Sequence, residues 1–293
     1  MSDERVVSLE RTGHVGTLWL DRPGSRNAMA TSFFEQLPEA MAELSDDDEV
    51  RAVVVAARGS DFCVGLDLKA LGELFVAQDR SRSGRTGSPN GGPGDDRSAR
   101  DPSMAARARA ARANILRLQD SISSVARCPK PVVAAIHGYC IGGGVDLASA
   151  CDIRLASADS TFSVRETRVA IVADLGSLQR LPRIIGKGHV AELAYTGKDI
   201  TAERARQIGL VNEVFPHAED AQGAAAELAE QIAANSPLAV QGTKAVLEAC
   251  ADRSVIQGLD YVATWNAGFL QSEDLTEAMT AFMAKRSPHF EGR

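Results

Sequence analysis

The sequence predicts an α/β fold with a mostly parallel sheet over its first two hundred residues, followed by an all-helical region. Three observations carry that reading. Short β-branched runs alternate with stretches of helical spacing up to about residue 200, the order that lays helices against a parallel sheet. From Thr201 onward the chain turns Ala-rich and helical. Of the 293 residues, 44% are hydrophobic and 24% charged, an ordinary balance for a globular chain long enough to bury a real core.

Taken in order, VVSLER and VGTLWLD read as paired strands with Gly13-His14 as the turn between them. TSFFEQLPEAMAEL has helical spacing, and Thr31 or Ser32 is its expected N-cap. RAVVVAA, PVVAAIHG and DIRLAS read as buried strands, and LVNEVF as a weaker last one. Between Asp79 and Asp101 the pattern collapses into DRSRSGRTGSPNGGPGDDRSARD. Such a stretch buries too little apolar area to offset ordering entropy and reads as a mobile insertion. It is either a plain surface loop or a lid or RNA-contacting basic arm. The tail then reads as TAERARQIG, AEDAQGAAAELAEQIAANS and PLAVQGTKAVLEACAD, with two more helices around VIQGLDYVATWNAGFL and DLTEAMTAFMAKR. The expected division is a core over 1–200 and a helical unit over 201–293 that packs on the core or on another subunit.

The formal charge of −7 argues against a dedicated nucleic-acid binder. No apolar run approaches the roughly 18 residues that suggest a membrane span. MSDERVVSLER lacks the apolar core of a secretory signal, and HFEGR is no peroxisomal address. Five cysteines, at 63, 128, 140, 151 and 250, have neither CxxC nor Cys/His ligand spacing. Reduced thiols in a cytoplasm, with no metal site, are the expectation.

Two glycine-bearing segments follow strands: GSDFCVGLDLKALGEL after RAVVVAA, and HGYCIGGGVDLASACD after PVVAAI. Glycine there lets the backbone approach a ligand closely. The free N–H groups of a following helix suit an oxygen bearing negative charge. Two such sites converging would form an oxyanion hole. A GxGG run alone is also what a close helix–sheet contact uses, and it lacks dinucleotide-binding spacing.

RPGSRNAM, FCVGLDLKAL, AAIHGYCIGGGVDLASACDIRLAS, FSVRE, LQRLPRIIG and TAFMAKR together resemble the crotonase superfamily of enoyl-CoA hydratases and isomerases. The resemblance runs over nearly the whole chain except 79–101. It implies an α/β crotonase-like spiral of ββα units with a C-terminal all-helical trimerisation region, hence a homotrimer or homohexamer. It implies no cofactor, since an acyl-CoA thioester is the substrate. The thioester oxygen would accept the backbone N–H groups of Leu66 and Gly143. Val64, Gly65, Leu66, Asp67 and Gly143 would line the substrate. Lys69 would meet the CoA phosphates or adenine edge, or be a solvated lysine. Phe282 and Lys285 would reach the adenine end from a neighbouring subunit, or be core packing and a surface lysine.

Within that superfamily the side chains decide the reaction. The two acids that hold water in the hydratases correspond to Asp146 and Glu166. The hydratases normally have glycine at the position of Asp174, whereas VADLGSLQRLP and CIGGGVDL resemble the dienoyl-CoA isomerase branch. That branch converts a 3,5-diene into a 2,4-diene, removing a proton at C2 and adding one at C6. One short side chain cannot reach both carbons, so two acids are needed: Glu166 at C2 and Asp174 at C6. Structural alternatives stand beside these roles. Asp174 could N-cap the following helix, and Glu166 could be a surface acid paired with Arg165 or Arg168. Asp146 could complement its own helix dipole, raise a neighbour's pKa, or hold the pair in place. Enoyl-CoA hydration, and a non-catalytic CoA- or RNA-binding role, are the competing functions.

Overall fold

The structure, a computed structural model, describes residues 5–67 and 103–293. Its main sheet has six strands in the order β1-β2-β3-β4-β6-β9. These are β1 (Val7–Thr12), β2 (Val15–Leu20), β3 (Ala52–Ala57), β4 (Val132–Ile136), β6 (Ile153–Ser157) and β9 (Glu213–Phe215). Only the β1–β2 hairpin is antiparallel; every other pairing is parallel. A second, three-stranded sheet joins β5 (Tyr139–Ile141), β7 (Thr161–Ser163) and β8 (Ile200–Thr201).

β3 is buried at every position because both faces of the sheet are covered. On one face Leu18, Val53, Val55, Val132 and Ile136 meet Phe33, Leu37 and Met41 of α1 (Thr31–Asp46) and Ile122 and Val125 of α2 (Met104–Arg127). The same core takes in Val145 and Leu147 of α3 (Gly143–Ala150) and Leu181 of α4 (Ser177–Ile184). The helices α5 (Lys187–Thr196) and α6 (Ala202–Gln207) complete this side. On the other face Val54, Ala56, Val133 and Ala135 meet α7 (Ala218–Ala233). Its contact row is Ala221, Ala225, Ala229 and Ala233, four residues apart, so small side chains bring the helix axis close to the sheet.

One expectation is corrected. Thr31 is the first residue of α1 rather than its N-cap, and Ser32 lies inside it. The cap position is Ala30, with no side-chain bond, because Met29 is held in a bridge to Leu66 and the chain enters the helix directly from it. LVNEVF supplies β9, which pairs with β6, so the sheet extends past residue 200 into the region otherwise expected to be helical, and α7 packs on the sheet. The purely helical part starts at Pro237, with α8 (Pro237–Cys250), α9 (Val255–Phe269) and α10 (Glu273–Ala284). Among the described residues no helix is long and apolar enough to cross a membrane. All five cysteines are free. Lys69 and the 79–101 insertion lie outside the described residues.

Candidate active site

Two chain segments that each carry a glycine turn run side by side. Cys63 and Cys140 form a parallel bridge. Its hydrogen bonds run from Cys63 N to Tyr139 O at 2.9 Å and from Ile141 N to Cys63 O at 2.9 Å. Just past that bridge the chain turns at Gly65, with φ +89, while β5 ends and α3 begins at Gly143. A Cβ on Gly65 would lie 2.9 Å from the Ile141 carbonyl oxygen and 3.5 Å from the Gly143 nitrogen. Both the left-handed φ and that contact require glycine.

The N–H groups of Leu66 and Gly143 are left free for a reason readable in the backbone. In the Met29–Leu66 bridge, Met29 N donates to Gly65 O at 2.8 Å and Asp67 N donates to Met29 O at 3.0 Å. The N–H of Leu66 itself therefore faces away from Met29. Gly143 is the first residue of α3, where no intrahelical acceptor exists. Among the described residues neither N–H has an acceptor. Two unpaired donors lie next to each other at a helix N-terminus, an arrangement suited to an anionic oxygen.

The loop that carries Leu66 is tied down by residues outside the expected site. Asn27, at φ +54, accepts Arg22 N and donates to Arg58 O and Asp61 O. Buried Asp61 accepts Arg26 Nε at 2.7 Å and Tyr139 N at 3.0 Å, so one carboxylate links both segments. The Arg26 hydrogen bond and charge, together with bonds from Ser60 and Tyr139, outweigh burial and hold Asp61 at about 2. Sequence reasoning missed Asn27 and Asp61. The one local hint was Asn27, since Asn tolerates left-handed backbone. Within the stretch expected to line the substrate, Val64 N donates to Arg26 O, and Asp67 pairs with Arg22 at 2.8 Å.

Glu166 lies beside these donors, and Asp146 and Asp174 are near enough for their charges to act on it. The Oε1 of Glu166 lies 3.2 Å from where a Gly142 Cβ would stand. Its buried Oε2 has no hydrogen-bond partner among the described residues. Arg165 pairs with Asp199 instead, so Glu166 is not the acid of a surface ion pair. Burial, with the charges of Asp146 and Asp174, pushes Glu166 up to about 7. Asp146 is buried on α3, and its Oδ1 accepts Ser177 N at 2.6 Å. Burial holds Asp146 up at about 6 against that hydrogen bond.

Asp174 is half-buried between the buried residues Ala173 and Leu175. It does not cap α4: the cap position is Gly176, without a side-chain bond, and the acid on the first N–H of α4 is Asp146. Burial raises Asp174 too, with its own backbone N–H acting the other way. The Asp174 carbonyl accepts Gln119 Nε2 at 2.7 Å, a contact across 55 residues. The apolar run before it is not core: Val169, Ile171 and Val172 are exposed, in and after a 3-10 turn over Glu166–Val169.

Phe282 and Lys285 stand apart. Phe282 is 79% exposed, which excludes the core-packing alternative, and Lys285 ends α10 at φ +52. Among the described residues neither shares a hydrogen bond, ion pair or ring contact with the donors or the acids. No set of three His, Cys, Asp or Glu is arranged to hold a metal ion among the described residues.

Two neighbouring unpaired N–H donors beside buried carboxyls are an arrangement suited to proton chemistry next to a carbonyl. The sequence matches the family model of enoyl-CoA hydratase/isomerase over residues 10–86 and 96–293. It is 42% identical over 285 residues to the peroxisomal Delta(3,5)-Delta(2,4)-dienoyl-CoA isomerase of Arabidopsis thaliana, covering 97% of this chain and 95% of that protein. The mitochondrial Delta(3,5)-Delta(2,4)-dienoyl-CoA isomerase of Rattus norvegicus is 41% identical, with 98% and 82% covered. The crystal structure of enoyl-CoA hydratase from Bacillus anthracis superimposes with a TM-score of 0.83 at 29% identity, covering 99% of this chain and all of that one. The chain belongs to the enoyl-CoA hydratase/isomerase family, and it is an enzyme with the crotonase fold.

Proposed function

We propose that this enzyme isomerises a 3,5-dienoyl-CoA to the 2,4-dienoyl-CoA. Ionised Glu166 removes a proton from C2, and the electron pair of that C–H bond moves into the thioester. The negative charge collects on the thioester oxygen, where the N–H groups of Leu66 and Gly143 stabilise it. The carbonyl then re-forms, double bonds settle at C2 and C4, and C6 takes a proton from Asp174. One proton is lost by Asp174 and one gained by Glu166, and exchange with water restores both.

The observation that carries this reading is the pair Glu166 and Asp174. Both are raised by burial, and neither is in an ion pair among the described residues. Raised, unpaired carboxyls are suited to proton transfer. In enoyl-CoA hydration, Asp146 and Glu166 would together hold the water. Asp146 is instead buried and engaged with Ser177 N–H, which favours the diene shift. A non-catalytic binding role gives no reason to keep unpaired, desolvated acids beside the cradle. The experiment is a side-by-side product assay with 3,5-dienoyl-CoA and 2-enoyl-CoA. The 2,4-diene, with little hydration, is the expected result; hydration alone would overturn the reading.

Val64, Gly65, Leu66, Asp67 and Gly143 line the acyl-CoA in this scheme, and no cofactor takes part. Exposed apolar side chains on α8 to α10, among them Leu247, Ile256, Leu259, Met279 and Met283, support assembly as a homotrimer or homohexamer. That assembly would bring a neighbour's Phe282 and Lys285 to the adenine end. Five free thiols suit a reducing compartment, which we take to be the cytoplasm.

A further inference from the structure

Gln119 belongs to none of the motifs that pointed to the site. It stands on α2, and its amide reaches across to the main chain of Asp174. The other anchors of that turn act on its neighbours. Ala173 and Leu175 are held by burial, Leu175 O accepts Arg180 Nη1 at 3.3 Å, and Ser177 N is held by Asp146. Among the described residues, Gln119 is the side chain that grips Asp174's own peptide group.

We propose that Gln119 is a positioning residue for proton transfer at C6: by fixing the Asp174 carbonyl it sets the direction in which the Asp174 carboxyl leaves the turn. This inference rests on the isomerase reading above. The chemistry of the amide explains the residue type. The carbonyl needs a donor. A lysine or arginine in that place would pair with Asp174 and favour its ionised form, removing the proton that C6 must receive. An ionised carboxylate could not donate at all. An amide donates without carrying charge.

A purely structural role, pinning α2 to the turn, makes different predictions. Gln119→Leu keeps the bulk and removes the donor, while Ile122 and Val125 still anchor α2 in the core. We expect the diene-shift kcat to fall roughly ten- to a hundredfold, the range for misplacing a catalytic group by about an ångström. KM, melting temperature and solvent exchange of the C2 proton should stay close to those of the unmodified enzyme, because C2 exchange uses Glu166 and not Asp174. In Gln119→Glu the introduced carboxyl can donate only while protonated, so the loss should deepen as pH rises through its titration. Carbon-13 titration of the Asp174 carboxyl should move up in that variant, a readout independent of turnover.

The proposal is overturned if Gln119→Leu isomerises at the unmodified rate, or if C2 exchange and isomerisation fall together. Should Gln119→Leu fail to fold, Gln119→Glu decides: a pH-independent ratio to the unmodified rate is the contrary outcome. An unmodified chain that performs no diene shift would sink the isomerase reading itself, and the product assay reveals that before any variant is made.

Discussion

Asp146 holds the first N–H of the helix that follows Asp174: its Oδ1 lies 2.6 Å from Ser177 N. One buried carboxylate thus ties α3, which opens at Gly143, to the turn that carries the second acid. Asp146→Asn keeps an oxygen for Ser177 N–H and removes the charge. Because that charge helps raise Glu166, we expect the Glu166 titration to move down from about 7 with little change in melting temperature. Asp146→Ala loses the acceptor as well and should cost about 1–2 kcal/mol of stability. Carbon-13 carboxyl titration and denaturant unfolding check the two, and an unmoved Glu166 would show that the charge does not reach it.

Asp174 is free of capping duty, so Asp174→Asn tests chemistry without disturbing a helix end. Diene isomerisation should fall by roughly 10²–10⁴-fold, the usual size of a general acid–base contribution. Exchange of the C2 proton with solvent should survive in part. Glu166→Gln should suppress that exchange instead. Deuterium incorporation at C2, followed by mass spectrometry, separates the two. Near-normal isomerisation in Asp174→Asn would remove Asp174 from the mechanism.

Proline is well tolerated at the first position of a helix, and Gly143 occupies that position in α3. Gly143→Pro deletes one donor while leaving the helix possible, and kcat should drop by two decades or more with CoA still bound. Gly143→Ala is the control. It keeps the N–H and asks only that Met29 Sδ, 2.8 Å from the new Cβ, move aside. Equal losses in both variants would point to crowding rather than to the missing donor.

Glu166 also lowers stability. Its folded pKa of about 7 stands above the ordinary 4.5. Its contribution is therefore fully present below about pH 4.5 and is lost as pH rises through 7. Glu166→Gln escapes that loss. Discounted for its partial exposure, the variant should be about 1–3 kcal/mol more stable than the unmodified chain at pH 8 and near equal to it at pH 4.5. Urea midpoints at the two pH values measure this directly. A variant less stable at pH 8 would mean that the carboxylate is better solvated than its burial implies.

Assembly is testable without substrate. Ile256 and Met283, 80% and 79% exposed on α9 and α10, belong to the exposed apolar surface that the proposed assembly would cover. Light scattering at micromolar concentration should report three or six chains. Ile256→Arg should shift that population toward smaller species, whereas a monomeric unmodified chain would count against the assembly.

Much of the fold was legible because burial on both faces leaves an unambiguous mark: β3 reads AVVVAA, and it is buried throughout. The second sheet was not, since YCI, TFS and IT are too short to show a period. Glu166, Asp174, Gly143 and Leu66 could be picked out because each sits in a local motif. Asn27, Asp61 and Gln119 act through side-chain bonds to main chain that is distant in sequence. Asp61 reaches Tyr139 across 78 residues, and no local pattern announces such a contact. The run Val169–Val172 shows that apolar composition alone does not fix burial. Its composition is that of a buried segment, yet Val172 is 73% exposed.

The bridge between Cys63 and Cys140 acts as a gauge. Neighbouring strands lie about 4.8 Å apart because main-chain hydrogen bonds fix that spacing, whatever side chains they carry. Leu66 and Gly143 each stand three residues beyond that bridge, so the main-chain pairing brings their N–H groups to neighbouring positions. Asn27 and Asp61, whose side chains tie these segments together, add to that constraint. On the proposed reading, the capacity to hold an anionic oxygen lies in the peptide backbone, and the fate of the proton in side-chain carboxyls. On that reading, substitutions confined to the carboxyls would alter the proton chemistry and leave the backbone geometry in place.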